Sequence, residues 1–231
     1  MKALGFALVA LTLRAEVHQY RPAHFQITIP DGWTEISRDE LLSLAKALRQ
    51  AAPDADAQSY DYGFRPPGAP AHVRVIIQMK HERWSEEFFD QTSKLPRAKG
   101  LILHGVTAGS PSLAELQPKI GEMRWNPDRQ LLWMRTEIQD EKQGPTQILS
   151  GAHLTQDGSI QVHCSASSAQ YATLAAQFAA VIESVKIDDD FQYVRRSDIS
   201  LLFADYGWAV LATVGFVSML GAAFMGRKKP A

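Results

Sequence analysis

Residues 152–187 read AHLTQDGSIQVHCSASSAQYATLAAQFAAVIESVKI, and this stretch decides the fold class. Two runs of alternating apolar residues flank Asp157-Gly158, a dipeptide typical of hairpin turns. After Ser168 the apolar spacing becomes helical, and the apolar residues fall on one face. Those residues are Leu174, Phe178, Val181, Ile182 and Val185. The stretch therefore predicts two antiparallel strands followed by a helix with one apolar face.

The upstream half of the chain contains similar local signals. Residues 24–30 (HFQITIP) and 72–80 (HVRVIIQMK) alternate as strands do. Ser37 stands three residues before Glu40, a capping box that predicts a helix ending at Pro53. Three further elements are predicted: a strand at 59–65, a short helix from Ser85, and a hairpin from Met123 to Ile138 that turns at Asn126-Pro-Asp.

The order of these elements predicts the class. Strands mostly follow one another directly instead of alternating with helices, which favours an antiparallel sheet. One amphipathic helix near each end of the domain then covers that sheet. We therefore expect one α+β domain over residues 16–187, with a mainly antiparallel sheet covered by helices. Its length is sufficient for a core of its own.

Two quoted stretches resemble a known superfamily. FQITIPDGWTEI at 25–36 and the segment 152–187 are similar to the opening and closing elements of the PsbP-like α/β/α sandwich. That superfamily includes the photosystem II accessory protein, Ran-binding nuclear import factors and many bacterial proteins of unassigned role. The resemblance implies a fold used mainly for docking, with no shared catalytic residues. The middle of this chain departs from the best-known members, so their partners are not carried over.

The C-terminal segment predicts a membrane span. Residues 207–226 (GWAVLATVGFVSMLGAAFMG) contain no charged residue. A helix of that length reaches about 30 Å, the thickness of the bilayer hydrocarbon. Interfacial aromatic residues stand at one end and basic residues at the other, so we expect a transmembrane helix at 206–226 and a basic tail at 227–231. These flanking residues are Tyr206, Trp208, Arg227, Lys228 and Lys229. A buried core helix is the alternative.

The N-terminal residues resemble a secretory signal. Lys2 precedes an apolar run at 3–13, which is too short to span a bilayer. Cleavage after Ala15 would place Leu13 where a small residue is preferred. We expect a signal peptide at 1–15. A buried first strand within 3–20 and a misassigned start site are the alternatives.

The charges around the predicted span indicate its orientation. Three basic residues follow it, whereas Arg195 and Arg196 before it are offset by acidic residues in the predicted linker at 188–205. The positive-inside rule therefore places the tail in the cytoplasm and the domain outside. We expect a single-pass protein of the inner (plasma) membrane. A tail-anchored domain facing the cytoplasm is the alternative.

The sequence offers little chemistry. The formal net charge of -1 gives no basic face for nucleic acid, and the single Cys164 excludes an intramolecular disulfide. Cys164 on an alternating strand is interpreted as a small buried hydrophobic residue. His153 and His163 flank the Asp157-Gly158 turn and form a conceivable weak metal site, with ordinary surface histidines as the alternative. We predict no cofactor, no metal and no catalytic residue.

Two sets of residues are candidate contact surfaces. Tyr60, Tyr62 and Phe64 alternate beside a Pro-rich loop and could bind a partner, with packing against the sheet as the alternative. Within the span, small residues recur every four positions, which indicates a helix-pairing stripe. The stripe consists of Ser218, Ala222 and Gly226.

These observations predict a membrane-anchored extracytoplasmic interaction or accessory domain without catalysis of its own. Its expected partners are the bilayer, through residues 206–226, and a membrane protein of unknown identity. The alternative is a membrane-tethered enzyme or small-ligand-binding domain with a site between helix and sheet.

Overall fold

The computed structural model describes residues 15–51, 59–81, 84–94, 99–100, 117–140 and 144–194. Within them the chain forms two antiparallel sheets and three α-helices. The helices are α1 (Arg38–Ala51), α2 (Glu86–Lys94) and α3 (Ser168–Glu183). The strands are β1 (Ala15–Tyr20), β2 (Phe25–Pro30), β3 (Thr34–Glu35), β4 (Tyr62–Arg65), β5 (Arg74–Lys80), β6 (Lys119–Asn126), β7 (Leu131–Asp140), β8 (Gly144–Thr155), β9 (Gly158–Ser167) and β10 (Lys186–Ile187).

The larger sheet has seven strands in the order β3-β4-β5-β9-β8-β7-β6, and the smaller has the order β1-β2-β10. Strand β9 lies at the centre of the larger sheet. It pairs with β5 over seven residues and with β8 over ten. The strand has neighbours on both edges, so its backbone groups are satisfied by sheet hydrogen bonds.

One face of the larger sheet, the α3 face, is covered by α3 and the smaller sheet. Val75, Val162 and Cys164 on this face belong to the same core cluster as Phe25 and Phe178. Phe178 is fully buried, and burying a side chain of that size contributes about 1.5–3 kcal/mol. The hydroxyl group of Ser184 accepts a hydrogen bond from the backbone N–H of Thr28 at 2.8 Å, which holds the end of α3 against β2.

The opposite face, the α1–α2 face, is covered by α1 at one side and α2 at the other. A Cβ atom on Gly63 of β4 would lie 3.1 Å from Leu41 of α1 and 3.1 Å from Ile76 of β5. At the far side, the rings of Phe89 on α2 and Trp125 on β6 lie 5.4 Å apart. The larger sheet is therefore enclosed between two layers.

The structure confirms the predicted strands at 24–30 and 72–80, the two hairpins, and the three helices. Ser37 caps α1 by accepting a hydrogen bond from the N–H of Glu40. The strand predicted at 59–65 begins only at Tyr62. Before it, the N–H of Met79 on β5 donates to the side-chain carboxylate of Asp61, which replaces a hydrogen bond between the two backbones. Strands β1 and β10 are additional elements that pair with the two edges of β2.

The first residues of the predicted linker contact the domain. The N–H of Gln156 donates to the carbonyl of Phe191, and the ring of Phe191 stacks on His24 with centroids 4.1 Å apart. The hydroxyl group of Tyr193 accepts a hydrogen bond from the N–H of Glu86. Residues 188–194 thus pack on the domain through the side chains of Phe191 and Tyr193.

The α-helices within the described ranges all fall short of the length and hydropathy needed to cross a bilayer. The predicted span, its flanking residues and its small-residue stripe lie outside the described residues. The same applies to residues 1–14 of the predicted signal peptide.

A close contact between α3 and β8 gives a stability prediction. A Cβ atom on Gly151 would lie 2.2 Å from the side chain of Ile182, too close for any real contact. We expect Gly151→Ala to displace α3 and to lower the free energy of unfolding by about 1–3 kcal/mol in urea denaturation. Gly121→Ala on β6 is the control, since its Cβ would be in ordinary contact at 3.4 Å. An equal loss in both variants would contradict the packing.

Two buried histidines predict a dependence of stability on pH. Burial lowers the pKa of His153 to about 4 and that of His163 to about 3. Both are neutral when folded, whereas the unfolded chain binds protons below about pH 6.5. The unfolded state therefore binds more protons, and stability falls as the pH drops below about 6.5.

The expected slope is about 1 kcal/mol per pH unit for each histidine between pH 6 and pH 5. Urea denaturation at several pH values measures it. His153→Gln keeps a donor for the carbonyl of Ile182 and should reduce the slope by one histidine's share. A slope that is identical in the two proteins would contradict the burial of a neutral imidazole.

Candidate functional site

A groove runs between α3 and the outer strands of the larger sheet, on the α3 face. Helix α3 lies over β8 and β9 and leaves Arg135 and Glu137 of β7, together with the outward side chains of β6, exposed or only partly buried. The groove has two parts, of about 380 Å³ and about 190 Å³, and both Arg135 and Tyr171 line each of them. We call this the α3 groove. Its other lining residues include Lys119, Glu137 and Gln147 in the larger part, and Glu122, Arg124 and Glu183 in the smaller.

The pleat of the strands explains why polar residues line this groove. Arg135 pairs with Leu149 across β7 and β8, and Glu137 pairs with Gln147. All four side chains therefore point to the α3 face. They lie beyond the edge of α3, which covers the apolar core residues of that face. Trp133 forms the inner wall and is almost fully buried.

An irregularity in β6 shapes the outer wall. The register between β6 and β7 shifts between Ile120 and Met123, which places Gly121 and Glu122 in a bulge. A Cβ atom on Gly121 would lie 3.4 Å from the backbone oxygen of Arg135, and the same distance from its Nε. Bulges redirect side chains and are common beside binding sites. Here the bulge places Glu122 in the same part of the groove as Arg135 and Tyr171.

Within the groove the charges are mixed. Three basic and three acidic side chains line it. Glu137 accepts hydrogen bonds from the side-chain amides of Gln139 and Gln147, so that carboxylate is already engaged. Glu183 forms an ion pair with Arg129 at 3.7 Å. Arg135 is exposed and forms no ion pair with another described residue, so its guanidinium is available to a partner.

Tyr171 contributes a half-buried hydroxyl group. Burial raises its pKa, the guanidinium of Arg135 opposes that shift, and the carboxylate of Glu122 adds to it. The phenol therefore stays neutral at physiological pH and can donate or accept a hydrogen bond. An exposed cation next to an amphipathic phenol is a combination that protein interfaces favour.

The three aromatic residues predicted as a binding surface do not share one environment. Phe64 is buried on the α3 face, where its ring lies 4.8 Å from that of His18. Tyr62 is half-buried on the same face, and its ring lies 3.8 Å from that of Tyr20. Tyr60 is buried and lies beside Leu41 of α1. Only Tyr62 keeps part of its ring accessible, and a binding role for the set stays a prediction.

The two histidines beside the Asp157-Gly158 turn are separated by the sheet. His153 pairs with Ile160 and lies on the α3 face, where its Nε2–H donates to the carbonyl of Ile182 at 2.9 Å. His163 pairs with Ser150 and lies on the α1–α2 face. They cannot hold one ion together. Neither is a surface histidine, since both side chains are buried. Strands β8 and β9, which carry them, are covered on both faces.

Cys164 is fully buried, and burial raises the pKa of its thiol well above the ordinary value. Its interpretation as a small core residue is confirmed. Among the described residues one trio converges enough to hold a metal ion, namely His24, Asp188 and Asp190. Their ligand atoms lie within 4.8 Å of one another, but the two carboxylates are exposed and such groups are common without an ion.

Sequence reasoning did not find the α3 groove. Arg135 and Tyr171 are 36 positions apart, and each looks ordinary in its own element. The only local signal is that Arg135 occupies an apolar-face position in the alternation of β7, two residues after Trp133. Their proximity depends on the position of α3 across the sheet, which no local pattern encodes.

The arrangement of strands and helices has a counterpart among solved structures. The chain is similar to the solution structure of cyanobacterial PsbP (CyanoP) from Synechocystis sp. PCC 6803, with a TM-score of 0.50 and 11% sequence identity. The match covers 80% of this chain and 98% of that chain. The fold is PsbP-like. No protein-family model and no curated protein matches the sequence. At this level of identity the likeness establishes the fold of the domain, and it confirms the expected PsbP-like fold.

The electrostatics of the groove in this PsbP-like domain give a spectroscopic prediction. Arg135→Gln should raise the pKa of Tyr171 further, because it removes the cation that stabilises the phenolate. Glu122→Gln should shift that pKa in the opposite direction. NMR titration of ring-labelled tyrosine, assigned with Tyr171→Phe, measures both. Shifts of the same sign in the two variants would show that the two side chains do not flank the hydroxyl group.

Proposed function

We propose that this chain is a docking module of a membrane protein complex, and that the α3 groove is its contact surface. The observation that carries the proposal is the position of Arg135 and Tyr171 between the two parts of an open groove. Arginine and tyrosine are among the residues enriched at the hot spots of protein–protein interfaces, where the partner desolvates them. The mixed charges favour a partner surface with both signs, rather than nucleic acid or one small ion.

Membrane attachment belongs to the same proposal. It is supported by the uncharged segment at 206–226, by the basic residues after it, and by the signal-like residues 1–15. In this arrangement the domain lies outside the cytoplasm at the inner (plasma) membrane, 12 residues from Val194 to the start of the span. The small residues Ser218, Ala222 and Gly226 would let the helix of a partner approach closely.

Site-specific crosslinking in intact membranes tests the docking surface. A photoreactive amino acid replacing Tyr171 should crosslink to a defined membrane protein. Adding Arg135→Glu should reduce that product about tenfold, because a charge reversal in the contact costs at least about 1.4 kcal/mol. The same photoreactive group at Leu42 is the matched control, since Leu42 is 53% exposed but lies on α1, beyond the opposite face of the sheet. Equal products from the two positions would refute the groove as the contact.

Reporter fusions test the topology. A reporter enzyme that is active only outside the cytoplasm, inserted after Val194, should be active, whereas a fusion after Ala231 should be inactive. The reverse pattern would support the tail-anchored alternative and would exclude the proposed orientation. Mass spectrometry of the mature N-terminus then shows whether residues 1–15 are removed.

A further inference from the structure

A second groove lies along α1, in the layer that covers the α1–α2 face of the larger sheet. Its volume is about 620 Å³, larger than either part of the α3 groove. Sites for small molecules typically measure about 300–1,000 Å³. Most of the described lining belongs to α1, and the rest belongs to Ser59 and Tyr60, which precede β4. We call this the α1 groove.

The spacing of residues on α1 explains the lining. Five of the lining residues follow the pattern i, i+4, i+7, i+8 and i+11, which keeps them on one face of a helix. Leu42 near the middle of that face is 53% exposed, and Leu41 beside it is buried. The groove therefore has an apolar floor between charged ends. The five residues are Arg38, Leu42, Ala45, Lys46 and Arg49.

One end of the α1 groove carries two cations without a partner. Lys46 and Arg49 are exposed and stand one helical turn apart, and neither forms an ion pair with another described residue. Like charges at this spacing on a helix repel each other. The described lining residues include no carboxylate. An anion between the two side chains would relieve the repulsion, and the oxygens of a carboxylate or a phosphate group suit such donors.

Arg38, at the other end of the groove, is already engaged. Its Nη1 atom donates to the carbonyl of Tyr60 at 3.0 Å. Burial raises the pKa of Asp61, and both the N–H of Met79 and the guanidinium of Arg38 oppose that shift, so the carboxylate lies near this cation. An arginine held in this way offers its aliphatic stem to an apolar neighbour. The cations available to a ligand are therefore those at the Lys46 end.

The groove offers few backbone groups to a ligand. The carbonyl of Ser59 accepts a hydrogen bond from the side-chain amide of Gln78 at 2.8 Å, and that of Tyr60 is taken by Arg38. Backbone groups of α1 are paired within the helix. A bound peptide would have to bury its own N–H and C=O groups without these partners. An alkyl chain has no such groups to satisfy.

We propose that the α1 groove binds an amphiphile with one alkyl chain and an anionic oxygen head group, a carboxylate or a phosphate. Lys46 and Arg49 hold the head group, and the chain lies over Leu41 and Leu42 toward Tyr60. A bilayer surface fits less well, because it is flat and does not fill a recess. The α1 groove and the α3 groove belong to layers on opposite faces of the sheet, so this inference does not rest on the docking proposal.

Photolabelling of the full chain in phosphatidylcholine vesicles tests the inference. The probe is dodecanoate with a diazirine in its alkyl chain, and the matched probe has the same chain with a neutral hydroxyl head group. At equal amounts in the bilayer, the carboxylate probe should label α1 or residues 59–60 in a saturable manner, about tenfold more than the neutral probe. Excess dodecanoate or dodecyl phosphate should compete, and the stronger competitor identifies the head group.

Variants separate the site from general adsorption. The double variant Lys46→Gln, Arg49→Gln should lower the labelling about tenfold, and Leu42→Asn should lower it as well. These side chains are exposed, so the fold should persist, as judged by near-UV circular dichroism. The matched control removes two cations of the α3 groove, Arg124→Gln and Arg135→Gln, and should keep the full labelling.

Three results would overturn the inference. The first is labelling that rises in proportion to the probe without saturating, as expected of a helix that merely touches the bilayer. The second is an equal yield from the neutral probe or from every folded variant. The third is complete competition by a hexaglutamate peptide, which would identify a basic patch for acidic protein segments.

Discussion

The rest of the fold depends on the pairing of β9 along its whole length with β5 and β8. Both edges of β9 are occupied, so neither can shift without breaking ladder hydrogen bonds over seven or ten residues. This fixed register places the apolar residues of β9 under α3 and β2. It also forces the alternate residues into the opposite layer, whatever their polarity. The tight contact of Gly151 with Ile182 then determines how closely α3 approaches the sheet.

The surfaces of the domain follow from the position of α3. The helix is long enough to cover β8 and β9 but does not reach the outer strands. The side chains of β6 and β7 that would otherwise be core residues, such as Arg135, therefore line an open groove. The bulge at Gly121 and Glu122 forms part of the wall of this groove. The groove thus arises where a sheet of seven strands is wider than the layer that covers it.

Local patterns predicted the elements whose signals are local. The cap at Ser37, the turn at Asp157-Gly158 and the helical spacing after Ser168 each specify a structure within a few residues. Alternation on β9 was less informative, since it cannot distinguish a polar face in water from a polar face under another layer. Strand β10 and the groove also escaped prediction, because Lys186 pairs with Gln26 and Tyr171 approaches Arg135 only in the folded chain.

The two faces of the larger sheet are covered by different layers, which limits how those layers can communicate. Arg74 and His163 face the α1–α2 layer, whereas Arg135 faces α3. A change in the α1–α2 layer can affect the α3 groove only by displacing β8 or β9, because these strands are shared by both layers. The missing Cβ at Gly151 leaves no free space between β8 and Ile182. Any displacement of β8 is therefore passed to α3, whose residue Tyr171 lines the groove.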